Sequence, residues 1–142
     1  MHPFQRIFIH TALVFSLAAC ASPGAQTEPS TSLAWNRIAH QSIERSKIGQ
    51  HLAIRLFTQL SLAQHAAIRS ATDSANTRDA VAAASMKVIT ELLPVHTEFV
   101  AAQYRAQQVG QSEAGLQAAQ KVLAAAAQDG FTRTASSPPP PG

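Results

Sequence analysis

The stretch from Gln50 to Ala71, QHLAIRLFTQLSLAQHAAIRSA, constrains the fold more than any other part of the chain. It spans about six helical turns at ~1.5 Å per residue and contains neither proline nor glycine. Leu52, Leu56, Leu60, Ala63 and Ala67 recur at spacings of four and three, which puts them on one stripe. Ile54, Phe57, Leu62, Ala66 and Ile68 add apolar surface elsewhere. The polar remainder is a narrow line through His51, Arg55, Thr58, His65 and Arg69. A helix apolar around most of its circumference predicts neighbours on several sides. The other segments are expected to pack around it.

Those segments read as helices too. The first is predicted over 33–45, capped by Ser32, with Trp35, Ile38, Ala39 and Ile43 on one face. Ser46-Lys47-Ile48-Gly49 breaks it, and the central helix follows over 50–72. A third is predicted over 77–93, with Asn76 as N-cap and Asp79 three positions on, close to a capping box. Its inner stripe is Val81, Ala84, Val88 and Leu92, with Met86, Ile89 and Leu93 beside it. Pro94 disfavours helical backbone at the residue before it and suits the first turn of the next helix. That fourth helix, 95–109, turns Val95, Phe99 and Ala102 inward, flanked by Val100 and Tyr104. Ser112 caps a fifth, 112–129, with Leu116, Ala119, Leu123 and Ala126 inward and Gly130 after its end. No run alternates with period two for long enough to make a strand. The fold class is therefore all-α, a bundle of four to five helices with irregular termini.

One domain fits a chain of 142 residues. Apolar residues make up 46% of it, but alanine supplies much of that share, so the core is built from small side chains. The basic residues are scattered singly and the net charge is only +3, which is no footprint for nucleic acid.

Residues 1–19 read as a bacterial lipoprotein signal peptide. Arg6 makes a positive n-region, and Ile7 to Leu17 is an apolar stretch of eleven residues, too short to span a bilayer. Leu17-Ala18-Ala19-Cys20 resembles a lipobox, in which the cysteine is acylated and the leader is cut before it. Cys20 is thus the expected lipidation site, and the partner it implies is a membrane. Each buried methylene contributes ~0.8 kcal/mol, and more than one chain makes the anchoring stable. The alternative is an ordinary secretory signal carrying an unrelated cysteine. Ala21 after the cysteine fits delivery to an outer membrane, facing the periplasm. Residues 20–32 form the lipidated cysteine and a Pro, Ser, Thr and Gly-rich tether. The helical region covers 33–130, and 131–142 is a proline-rich tail ending SSPPPPG.

Residue types that carry chemistry are present but not in productive spacing. His51 and His65 stand fourteen residues apart, roughly 21 Å along a helix, and cannot share an ion. His40 and His96 have no second histidine at i+3 or i+4, and the usual H-x₃-H and E-x-x-H spacings are absent. His2 and His10 lie in the leader. Glu91 and Glu98 fall on opposite sides of Pro94, where solvated helix faces account for them. No Gly-rich phosphate loop or nucleophile elbow occurs. No metal, cofactor or catalytic residue is assigned. The fifth helix lacks the aromatics and cations of a membrane-surface amphipath, so its apolar face is expected in the core.

The order of the segments carries a resemblance. Trp35-Asn36-Arg37-Ile38-Ala39 leads to a helix with Arg55 and Leu60-Ser61-Leu62-Ala63-Gln64-His65-Ala66-Ala67. Then come Ala82-Ala83-Ala84-Ser85, Leu92-Leu93-Pro94, and Ala125-Ala126-Ala127-Gln128-Asp129-Gly130. This ordered set resembles the N-terminal helical half of the vanadium-dependent haloperoxidase and type-2 phosphatidic-acid phosphatase (PAP2) superfamily. It covers Trp35 to Gly142, and Pro138 to Gly142 looks like the linker that precedes the catalytic half in that family. The resemblance implies a phosphate or vanadate site built from Lys-x₆-Arg-Pro, Ser-Gly-His and Ser-Arg-x₅-His motifs, which supply cations and a nucleophilic histidine. None of these motifs occurs in this chain. Arg45 and His51 have the spacing of the last one, but Glu44 replaces its serine and the stretch precedes the helical half. The reading is a lipid-anchored scaffold half that is inactive alone, either truncated or completed by a second polypeptide. Its rival is a small envelope lipoprotein that binds a protein partner through its helical surface.

Overall fold

The computed structural model describes residues 30–131, and every regular element among them is helical. The elements are α1 (Thr31–Ser46), α2 (Gln50–Ser70), α3 (Ser74–Leu92), α4 (Thr97–Ala106) and α5 (Glu113–Ala127), with a 3-10 turn at Pro94–His96 before α4. Among the described residues the chain is an all-α bundle of five helices. Cys20, the leader, most of the tether and nearly all of the proline-rich tail lie outside the described residues.

Local chemistry explains most of the boundaries, with two shifts from expectation. The N-cap of α1 is Ser30, not Ser32; its hydroxyl accepts from the Leu33 amide. Asp73, not Asn76, caps α3: its carboxylate accepts from the Asn76 backbone amide at 2.8 Å and from the Asn76 side chain at 2.7 Å. A carboxylate at that place satisfies an otherwise orphaned amide and also complements the helix dipole, so the helix begins earlier. Ser112 caps α5 as expected, accepting from Gly115 N at 3.2 Å. Lys47 closes α1 in the left-handed conformation, φ 51°, with its amide on the Ile43 carbonyl. Pro94 ends α3 and opens the 3-10 turn.

That turn changes which residues of α4 face inward. Val95 is 78% exposed and Ala102 is also exposed, contrary to the predicted stripe, whereas Val100 is fully buried. A 3-10 turn winds at 3.0 residues per turn instead of 3.6, so the inner face slips relative to a continuous helix. The inner face of α5 is likewise rotated: Gly115, Ala118 and Ala119 are buried, while Leu116, Leu123 and Ala126 are only half-buried.

The larger correction concerns the centre. α2 buries Leu56, Leu60, Ala63 and Ala67, but Leu52, Ile54, Leu62 and Ile68 each stand about half exposed. The helix with neighbours on all sides is α3. Six consecutive residues, Ala80 to Ser85, are buried, and at about 100° per residue they cover the whole circumference. α3 packs against α1, α2, α4 and α5, whereas α2 packs against α1, α3 and α5. Alanines allow this because short side chains let several backbones approach one axis. One close approach is Gly115 of α5 over Ala80 of α3, where a β-carbon would fall against the Ala80 carbonyl group. Trp35, Leu56, Leu60, Val81, Val88, Ile89 and Val100 supply the large side chains of a single core. Each is worth about 1.5–3 kcal/mol on full burial.

Candidate functional site

Opposite α3, the outer faces of α2 and α5 leave a groove of about 700 Å³. No α3 residue lines it. α2 contributes His51, Arg55, Thr58, Gln59, Leu62 and His65, and α5 contributes Ala118, Lys121, Val122, Ala125 and Ala126. Positions 51, 55, 58, 62 and 65 repeat every three or four residues, as do 118, 121, 122, 125 and 126. Two helical stripes therefore form the walls. The polar line read from the sequence runs along this groove, Arg69 excepted.

One end of the groove is stapled. The Arg55 guanidinium donates to both carboxylate oxygens of Asp129, at 3.0 and 2.7 Å, and to the Ala126 carbonyl at 2.7 Å. It also lies 4.3 Å above the Phe131 ring. A cation on the last carbonyls of α5 satisfies orphaned acceptors and complements the dipole there. Because Arg55 lies near the start of α2, the pairing fixes the two helices as antiparallel. The Phe131 amide donates to Asp129; that bond first, and the Arg55 guanidinium second, hold the Asp129 carboxyl below its ordinary value. Leu62, Ala66, Val122 and Ala125 supply apolar wall between the polar groups.

Two buried polar atoms lack a partner among the described residues, Trp35 Nε1 in the core and Gln59 Oε1 at the groove wall. Gln59 is 4% exposed. Leaving a buried acceptor unsatisfied costs about 1–3 kcal/mol. The neighbouring buried glutamine is satisfied: Gln64 donates to Ser85 Oγ at 3.1 Å and to Asn36 Oδ1 at 3.3 Å, linking α2 to α3 and α1.

The remaining candidates are dispersed. His51 and His65 sit towards opposite ends of the groove. His40 faces Glu44 on the surface of α1 at 3.5 Å. Glu91 pairs with Lys87 at 2.8 Å, and Glu98 is exposed. Arg45 stacks on Phe99 at 3.8 Å, away from the groove that His51 lines, so the near-motif is not assembled. His96 Nε2 lies 2.6 Å from Ser46 Oγ, a pairing the sequence reading missed. That hydroxyl is also 2.7 Å from the Ser42 carbonyl, which can only accept. With its one proton given there, the serine accepts from the imidazole, the reverse of a base activating a nucleophile. Among the described residues no three His, Cys, Asp or Glu side chains converge as metal ligands, and no helix is long and apolar enough to cross a membrane.

No sequence signal tied Arg55 to Asp129, seventy-four positions away. Gln59 was legible only as a polar position on an otherwise apolar side of α2. Compared with known proteins, the chain matches no family model, no curated protein and no solved structure.

Proposed function

We propose that this protein is an envelope-anchored helical scaffold of the PAP2 and haloperoxidase type, tethered through lipidated Cys20 and without phosphate-transfer activity of its own. The observation that carries the reading is the open α2–α5 groove, where Leu62, Ala66, Val122 and Ala125 stand among polar side chains on two antiparallel helices. A groove between two helices can seat a further helix, and a scaffold half leaves such a face for the polypeptide that completes it. The ordered Trp35, Arg55, Leu60–Ala67, Ala82–Ser85 and Asp129-Gly130 segments support the same reading.

The test has two arms. The isolated chain leaves p-nitrophenyl phosphate intact; robust turnover overturns the scaffold assignment. Labelled palmitate enters the protein in cells and is absent from Cys20→Ser; equal labelling of that variant overturns the anchor. A second reading, a self-contained protein-binding module, is favoured by the continuous core from Trp35 to Ala119, which closes among the described residues.

A further inference from the structure

The groove has three features beyond being apolar. Its free charge is positive: Arg55 is engaged by Asp129, while Lys121, in the middle of the α5 wall, has no carboxylate partner among the described residues. His51 and His65 flank it along α2. Its wall holds a nearly buried amide, Gln59, whose carbonyl oxygen has no donor. Its walls are paired ridges at helical spacing, with Ala66, Ala118, Ala125 and Ala126 small enough for another backbone to come near.

We propose that the groove receives one amphipathic α-helix of a partner polypeptide, laid along α2 and α5, with a carboxylate at mid-helix facing Lys121. This rests on the scaffold reading and names the chemistry of the missing partner. The lining runs from His51 to Ala66, sixteen residues of α2, whose fifteen steps span about 22 Å, four turns of an incoming helix. A helix fills a long open trough with side chains at i, i+3, i+4 and i+7. The groove is open along one side, so a single alkyl chain lying in it keeps that side in water, whereas small-ligand sites bury some 70–90% of their occupant. The partner's acid fixes the register by opposite charge. Thr132 to Gly142 contains no apolar stripe of helical spacing and does not meet this description.

The test is selection from a displayed library of helical peptides of about 16 residues, the length of the groove at ~1.5 Å per residue, with the inward stripe randomised. Selection on the intact protein yields peptides with Asp or Glu at mid-stripe. Leu62→Asp, at a position already 54% exposed in the free protein, weakens them about tenfold or more while helicity by circular dichroism is unchanged. Lys121→Glu shifts selection to Lys or Arg at the same place. Absence of enrichment, indifference to Leu62→Asp, or no charge preference overturns the proposal. So does displacement of the peptides by palmitate, which makes the groove an acyl-chain site, or a dimer that Leu62→Asp dissolves, which makes its occupant a second copy. None of these outcomes bears on p-nitrophenyl phosphate turnover or Cys20 labelling, so the scaffold reading stands or falls separately.

Discussion

Gly115 shows how much a single position decides. Its α-carbon lies against the Ala80 backbone, and a β-carbon there would meet the Ala80 carbonyl carbon and α-carbon, each at 2.9 Å. Backbone cannot swing aside as a side chain does, so the two helices have to separate. Gly115→Ala is expected to destabilise the fold by about 1–3 kcal/mol through overpacking, even though alanine is the better helix former by ~1 kcal/mol. Urea unfolding measures the net effect, and a rise in stability contradicts the packing described. In the sequence, Gly115 reads as a weak point in a helix, and nothing local reveals the contact. Gln59 is similar: it is buried, and nothing beside it in the sequence reveals that. By contrast Trp35, Leu56, Leu60 and Val88 were legible as core residues, because their periodicity and size allow few other places.

At the level of elements, the helices were readable and their exact phase was not. Five helical segments follow from spacing, polar caps and Pro94, and Ser112 and the break after Ser46 stand where they were expected. Two polar residues near one helix start compete for the cap, and the carboxylate of Asp73 takes it from Asn76. Asp73→Ala is therefore expected to cost about 1 kcal/mol, within the usual ~0.5–2 for a lost cap. Asn76→Ala, inside the first turn, should cost less. The urea midpoints of the two variants decide it, and the reverse order would restore Asn76 as the cap. The inner faces of α4 and α5 differ from prediction for a related reason. A 3-10 turn or a small-residue contact rotates a helix by a fraction of a turn, and a stripe counted from sequence assumes no such rotation.

For the whole molecule, the α2–α5 face separates the two readings. A scaffold half with this trough uncovered binds a hydrophobic dye and self-associates as concentration rises. A self-contained binding module elutes as a single monomer with little dye fluorescence. Size-exclusion chromatography across a concentration series, with the dye assay beside it, separates the two, and the scaffold reading predicts the first result. The opening stretch, Gln50 to Ala71, is where local and tertiary information part company. Its periodicity by itself determined a long, mostly apolar helix with a polar line, since side-chain direction in a helix depends on residue spacing alone. Tertiary packing decided that α3, not α2, holds the centre, because alanines at Ala80 to Ala84 admit neighbours on every side. It also decided that the polar line of α2 borders a groove. Which helix faces which is set by backbone approach distances and by pairs such as Arg55–Asp129, interactions between residues far apart in the chain that no local pattern encodes.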